Sequence, residues 1–229
     1  MIQTSPEWIN DWSIEKFSPI TDNWVSIGHG TDEEPMQSLS HSTFSKAMKE
    51  KYCDGMKILD YGCGTGRFAN FLSKRLKNFK YIGLEKAGSE SMWGEMSVRD
   101  GLINAGHDDR FTLGFTETQL EKNAIEECDV VLLCSIFTHT TIEETHRIID
   151  KLMPLVKRGG RVIFSMIHGD TYSLNGSLYG FNECYQVTYN TKEQVEEIAR
   201  KFNANVKLEE EFMANWGYLH SIYSITSIA

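Results

Sequence analysis

Three alternating glycines and one acidic residue are the parts of this sequence best suited to holding a nucleotide-like ligand. The glycines are Gly62, Gly64 and Gly66. They follow an apolar run that ends at Leu59 and precede an amphipathic segment from about Arg67, a pattern that predicts a strand, a tight turn and a helix. Glu85 ends a second apolar run, 85 − 60 = 25 residues after Asp60, close to the separation of about 20 residues at which an acid in a βαβ unit reaches a ribose. The pattern predicts a ligand held between a glycine turn and a carboxylate.

The glycine spacing distinguishes this turn from two other nucleotide-binding turns. Counted from the first glycine, the sixth position is Arg67, whereas the dinucleotide fingerprint requires glycine there, and no Gly-Lys-Ser/Thr follows as a P-loop requires. The pattern Leu59-Asp60 followed by the three alternating glycines resembles the first motif of class I S-adenosylmethionine-dependent methyltransferases. The structural alternative is a tight strand-to-helix turn in some other α/β domain.

The resemblance implies a set of cofactor-binding residues. In that family the loop passes under the amino-acid part of S-adenosylmethionine, and the acid that ends the second strand, here Glu85, accepts both ribose hydroxyls. By family position, Thr116 and Glu117 lie near the adenine, and Ser135 follows the fourth strand. The full implied set is Asp60, Gly62, Cys63, Gly64, Gly66, Glu85, Lys86, Thr116, Glu117 and Ser135.

The order of predicted elements from Lys57 fits an α/β fold with a doubly wound, mostly parallel sheet. The resemblance implies seven strands in the order 3-2-1-4-5-7-6, the last of them antiparallel. Residues 1–50 are expected to form an N-terminal helical extension or lid, and residues 51–229 the Rossmann-like domain. The tryptophans of the extension either cover a substrate or pack on the sheet.

Two helix starts and one long connection are predicted after the fourth strand. Thr140-x-x-Glu143 predicts a capping box for the following helix, and Thr191-x-x-Gln194 predicts another. Residues 168–190 form a connection of 190 − 168 + 1 = 23 residues, too long for an idle loop. We expect this connection to border the pocket of the methyl acceptor.

Two histidines are candidates for proton removal. In methyl transfer from a sulfonium the protein mainly aligns the nucleophile and removes its proton. His139 and His168 follow the fourth and fifth predicted strands, at the sheet edge where ligands bind in such folds. Each is therefore a candidate general base for a hydroxyl acceptor. Packing or helix capping is the alternative role for His139.

The composition of the chain limits the kinds of binding partner that we expect. The chain has 229 residues, with 23 Lys and Arg against 32 Asp and Glu, so its net charge of −9 disfavours a nucleic-acid partner. The five cysteines form no C-x-x-C pair and read as reduced thiols, which favours a cytoplasmic location. No apolar run approaches ~18 residues, so no membrane partner is expected.

The expected function is metal-independent methyl transfer from S-adenosylmethionine to a hydroxyl or amine of a small molecule, such as a sugar or natural product. Where amino-methylating DNA enzymes carry Asn/Asp-Pro-Pro-Tyr, this chain has Cys134-Ser135-Ile136-Phe137, and the metal-binding aspartate of the catechol type is missing at the same point. Two alternatives stay open: a methyltransferase acting on tRNA or protein, and an S-adenosylmethionine-binding protein without catalysis. The sequence does not indicate the oligomeric state.

Overall fold

The structure, a computed structural model, covers the chain in separate stretches. It describes residues 55–63, 72, 76–85, 111–115, 125–134, 136–138, 140–169, 173–175, 187–213 and 219–226. These residues fall into two compact units, an amino-terminal unit that ends at Glu126 and a carboxyl-terminal unit that begins at Glu127. The predicted extension, residues 1–50, lies outside the described residues.

The amino-terminal unit contains three parallel strands. They are β1 (Lys57–Tyr61), β2 (Lys80–Glu85) and β3 (Phe111–Phe115). β2 pairs with both of its neighbours, which gives the order β3-β2-β1. Ile58 and Leu59, successive residues that point to opposite faces of β1, are both fully buried, as expected of a parallel strand that is covered on both sides. The predicted order 3-2-1 is confirmed.

The carboxyl-terminal unit contains the predicted fourth and fifth strands and the two final strands. They are β4 (Cys128–Leu133), β5 (Val156–His168), β8 (Asn205–Met213) and β9 (Leu219–Thr226). β4 pairs in parallel with β5, β9 pairs antiparallel with β5, and β8 pairs antiparallel with β9. The resulting order β4-β5-β9-β8 is the predicted 4-5-7-6, with the last strand of the chain antiparallel.

The long connection after β5 contains two short strands that the sequence did not predict. They are β6 (Ser173–Asn175) and β7 (Val187–Asn190), which pair antiparallel with each other. β7 also pairs in parallel with the last two residues of β5, Ile167 and His168. β4 pairs with β5 only as far as Phe164, so β7 extends the sheet at the carboxyl end of β5.

Two helices of the carboxyl-terminal unit carry capping boxes. Helix α1 (Ile142–Leu152) is followed by a short 3₁₀ helix (Met153–Leu155), and helix α2 is Lys192–Lys201. Gln194 accepts a hydrogen bond from the backbone N–H of Thr191 at 2.8 Å, as predicted. The predicted box at residues 140 and 143 is wrong by one position, because Thr141 and Glu144 form it. Among the described residues, neither helix is long and apolar enough to span a membrane.

Candidate functional site

The glycine turn after β1 is attached to the end of β2. Gly62 has a φ of +78°, a left-handed conformation that favours glycine. The backbone N–H groups of Gly62 and Cys63 both donate to the carbonyl oxygen of Leu84, at 2.7 and 3.1 Å. These two N–H groups hold the turn itself in place. A ligand at this turn is therefore left to side chains and to the residues that follow Cys63 in the chain.

Glu85 directly follows Leu84 and is the last residue of β2. Because Tyr61 lies opposite Leu84 in the parallel pair, the backbone of Glu85 lies next to the glycine turn, although 85 − 62 = 23 residues separate Glu85 from Gly62. On its other side Glu85 lies opposite Phe115, the last residue of β3. The fold thus brings the backbone positions of the two predicted anchors together.

Asp60 lies inside β1, because the strand continues to Tyr61 and does not break at the aspartate as predicted. Its side chain is only 4% exposed, and Oδ2 accepts a hydrogen bond of 2.6 Å from the hydroxyl of Tyr81. Burying a carboxylate is costly unless it is hydrogen-bonded or paired with a charge, and the phenol supplies such a bond. A buried, hydrogen-bonded carboxyl group therefore lies two residues before the turn.

Seven of the predicted site residues lie outside the described residues. They are Gly64, Gly66, Lys86, Thr116, Glu117, Ser135 and His139. Their roles stay predictions. The structure locates Asp60, Gly62, Cys63 and the backbone of Glu85 together in the amino-terminal unit, and His168 in the carboxyl-terminal unit.

In the carboxyl-terminal unit, β7 holds the segment after β4 by three hydrogen bonds. The backbone N–H of Thr188 donates to the carbonyl of Thr138 at 2.9 Å, and its Oγ1 donates to the carbonyl of Thr140 at 2.8 Å. Asn190 Nδ2 donates to the carbonyl of Phe137 at 3.3 Å. Thr188 and Asn190 are both fully buried, so the ends of β4 and β7 form one ordered group. Within the described residues, Oδ1 of Asn190 has no hydrogen-bond partner and can accept a further donor.

Both ring nitrogens of His168 are engaged. Nδ1 lies 2.9 Å from the carbonyl oxygen of Asn190, and Nε2 lies 2.7 Å from the hydroxyl of Tyr223. A carbonyl can only accept, so Nδ1 carries the proton, and the neutral ring accepts the Tyr223 hydrogen bond at Nε2. Proton removal by Nε2 requires that this hydroxyl first move aside.

Burial determines the ionisation of this pair. Burial lowers the pKa of His168 and outweighs the hydrogen bond to the Asn190 backbone, which raises it. Lys192 adds a smaller lowering of the pKa, and Glu211 and Glu193 act weakly against it. Burial also raises the pKa of Tyr223 to about 12. The pair is thus a neutral imidazole and a neutral phenol near pH 7. The pair links β5, β7 and β9 through hydrogen bonds between uncharged groups.

Four residues that make these hydrogen bonds were not predicted from the sequence: Tyr81, Thr188, Asn190 and Tyr223. None belongs to a motif, and each makes its contact with a residue at least 21 positions away in the chain. The one available signal was that Thr188 and Asn190 lie in the long connection after β5. No group of metal-ligating side chains occurs among the residues that the structure describes.

One protein-family model matches part of the chain. Residues 59–162 match the family model described as a methyltransferase domain, a range that begins beside Asp60 and ends within β5. No curated protein sequence matches the chain.

Three solved structures share the fold at low sequence identity. The chain is similar to an S-adenosylmethionine-dependent methyltransferase from Methanosarcina mazei, with a TM-score of 0.61 and 12% identity over 79% of this chain and 96% of that one. It is also similar to magnesium protoporphyrin IX methyltransferase from Synechocystis PCC 6803 with bound S-adenosylmethionine (TM-score 0.57, 18% identity, 81% and 76% covered). A third is the 1,6-didemethyltoxoflavin N1-methyltransferase from Burkholderia thailandensis (TM-score 0.55, 13% identity, 82% and 78% covered).

The resemblance found in the sequence agrees with the strand orders of both units, with the glycine turn that is bonded to Leu84, and with the family match. The chain has the fold of solved S-adenosylmethionine-dependent methyltransferases, and residues 59–162 match the methyltransferase domain model.

Proposed function

We propose that this protein transfers the methyl group of S-adenosylmethionine to a hydroxyl or amine of a small molecule, without a metal ion. The observation that carries the proposal is the amino-terminal unit's glycine turn, whose attachment to Leu84 brings it next to the backbone of Glu85. The carboxyl group of Asp60 is buried beside the turn and accepts a hydrogen bond from Tyr81. These features suit a ligand that has a ribose and a positively charged amino-acid part.

The acceptor is proposed to be a small molecule on two grounds. Two of the similar structures are named for methylation of a porphyrin and of a toxoflavin precursor. The net charge of −9 opposes binding to a phosphate backbone. We further propose that residues 1–50 and 168–190 border the acceptor pocket, with residues 51–229 as the catalytic domain.

Of the two candidate bases, His139 is favoured. Its neighbours in the chain, Thr138 and Thr140, have carbonyl groups that accept hydrogen bonds from Thr188, so the segment on both sides of His139 is held in place. His168 instead has both ring nitrogens engaged. A general base contributes roughly 10² to 10⁴-fold to a rate.

A turnover assay tests the proposal. Purified protein is incubated with methyl-labelled S-adenosylmethionine and a panel of phenols, sugars, heterocyclic amines, bulk tRNA and a protein extract, with and without EDTA. We expect label in at least one small molecule, and unchanged turnover with EDTA. Label only in tRNA or protein would overturn the small-molecule proposal, and cofactor binding with no labelled product would favour a non-catalytic protein.

The same assay tests the base. In His139→Gln we expect a loss of rate of about 100-fold or more and loss of the acidic limb of the pH–rate profile. His168→Gln serves as the matched variant and is expected to keep that limb. If both variants keep the wild-type profile, neither histidine is the base.

A further inference from the structure

Tyr81 is a fully buried residue of β2 whose hydroxyl contacts the carboxylate of Asp60. The donor–acceptor distance is 2.6 Å, within the range of about 2.5 to 2.7 Å that is typical of hydroxyl groups bonded to an ionised oxygen. Tyr81 is 0% exposed, so the bond forms away from water, where such bonds are strong.

The register of β1 and β2 explains why the hydroxyl reaches Asp60. Tyr81 lies opposite Ile58, and Gly83 lies opposite Asp60. Residues two apart on a strand share a face, so Tyr81, Gly83, Ile58 and Asp60 belong to the same face of the sheet. Because glycine has no side chain, the hydroxyl of Tyr81 occupies the place opposite Asp60.

The bond lies at the point where β1 becomes the glycine turn. Asp60 is two residues before Gly62, whose N–H is fixed on Leu84. Tyr81 holds one oxygen of the Asp60 carboxyl group, and Tyr81 is itself fixed in β2. The position of this carboxyl group is therefore defined. A phenol that donates to a carboxylate also favours the ionised form of that carboxylate.

We propose that Tyr81 is a positioning residue for cofactor binding. It keeps the Asp60 carboxylate ionised and oriented, so that this charge stabilises the positively charged methionine part of S-adenosylmethionine. The inference rests on the proposed function, because it assumes that S-adenosylmethionine binds at this turn. Tyr81 acts through Asp60 and does not itself touch the cofactor.

The test compares three ligands by isothermal titration against wild type and Tyr81→Phe. S-adenosylmethionine and S-adenosylhomocysteine both carry the amino-acid ammonium, and 5′-methylthioadenosine lacks the amino-acid part. Loss of a hydrogen bond to a charged group predicts roughly 10-fold weaker binding of the first two ligands. Binding of 5′-methylthioadenosine is expected to stay within about 2-fold of wild type, because it has no charge that depends on Asp60.

A merely structural role for Tyr81 would give a different result, since local disorder weakens all three ligands alike. Ser224→Ala is the matched control, because it also removes a buried hydroxyl that donates to a carboxylate at 2.6 Å but leaves the turn intact, and its three affinities should equal those of wild type. In an Asp60→Asn background the Tyr81→Phe substitution should add little further loss of affinity, as expected when two residues act through one contact.

Two results overturn the inference: equal weakening of all three ligands, or no weakening of any. If Tyr81→Phe fails to fold, Asp60→Asn alone must show the same difference between charged and uncharged ligands, and equal effects on all three would again overturn the inference. If wild-type protein binds none of the three ligands, the proposed function fails, and this inference fails with it.

Discussion

The two units arrange their polar groups at the strand ends in different ways. In the amino-terminal unit the turn after β1 is fixed by backbone groups, two N–H donors on the carbonyl of Leu84. In the carboxyl-terminal unit, side chains link the ends of β4, β5 and β7 through Thr188, Asn190 and His168. A turn that is fixed by its own backbone requires glycine but tolerates many residue types around it. An arrangement that is held by side chains depends on particular residues.

We propose that this difference reflects the two tasks of a methyl-transfer enzyme, cofactor binding and acceptor binding. A cofactor that binds at the turn needs the turn in a fixed shape, and the two backbone hydrogen bonds to Leu84 supply it. An acceptor differs from one enzyme to another, and the side chains of Thr188 and Asn190 hold the segment on both sides of His139, the proposed base. The comparison predicts that substitutions in the two units affect different measurements.

The largest effect is expected at the glycine turn. Gly62→Ala places a side chain at a φ of +78°, which costs about 1 to 2 kcal/mol, and it disturbs the loop that follows. We expect the melting temperature to fall by roughly 2 to 8 °C and S-adenosylmethionine to bind at least ~10-fold more weakly. Differential scanning calorimetry and isothermal titration measure the two effects.

Gly159 provides a matched control. Its φ is +76°, and a Cβ there would have no atom within 4 Å, so Gly159→Ala introduces the same backbone strain with no steric clash. We expect a similar loss of melting temperature and unchanged cofactor affinity. Equal loss of affinity in both variants would show that Gly62 has no special relation to the cofactor.

A smaller, acceptor-specific effect is expected at Thr188. Thr188→Val removes the Oγ1 donor and leaves the carbonyl of Thr140 without it, at a cost of about 1 to 3 kcal/mol. We expect kcat to fall about 10-fold, because the segment around His139 keeps only two of its three hydrogen bonds to β7, with unchanged S-adenosylmethionine affinity. Ser224→Ala, which removes a buried hydroxyl bonded to Glu209, should keep wild-type kcat. A loss of cofactor affinity in Thr188→Val would contradict the separation of the two tasks.

The smallest effect is a dependence of stability on pH. Since burial lowers the pKa of His168 below 6.5, the unfolded state binds more protons, and stability falls as the pH drops below about 6.5 toward the folded pKa. The slope of unfolding free energy from this residue is at most ~1.4 kcal/mol per pH unit. Urea titrations between pH 5 and 8 should show a shallower slope for His168→Gln than for wild type or for His146→Gln. Equal slopes in all three proteins would refute this.

Local sequence patterns predicted the local structure well. The hydrophobic runs predicted β1, β2 and β4 to within two residues, because buried parallel strands need continuous apolar sequence. The strand predicted over residues 161–167 begins 161 − 156 = 5 residues earlier, at Val156. The glycine spacing predicted the turn, because only glycine readily adopts its conformation. The strand orders came from the family resemblance and not from the patterns themselves.

The errors arose where distant residues decide the outcome. Thr140 and Thr141 are equally good caps by sequence, but the carbonyl of Thr140 accepts from Thr188 and its hydroxyl meets Thr145, so Thr141 caps the helix. The β6–β7 hairpin and the bond from Tyr81 to Asp60 likewise depend on strand register, which no short window of sequence contains.

The central claim is that the glycine turn and Glu85 hold a single molecule of S-adenosylmethionine. Isothermal titration of Glu85→Ala tests it most directly, with Glu126→Ala, which removes an exposed carboxylate of the same unit, as the control. We expect one site per chain in wild type, at least ~10-fold weaker binding in Glu85→Ala because two ribose hydroxyls lose a charged acceptor, and wild-type affinity in Glu126→Ala. Unchanged affinity in Glu85→Ala would contradict the account.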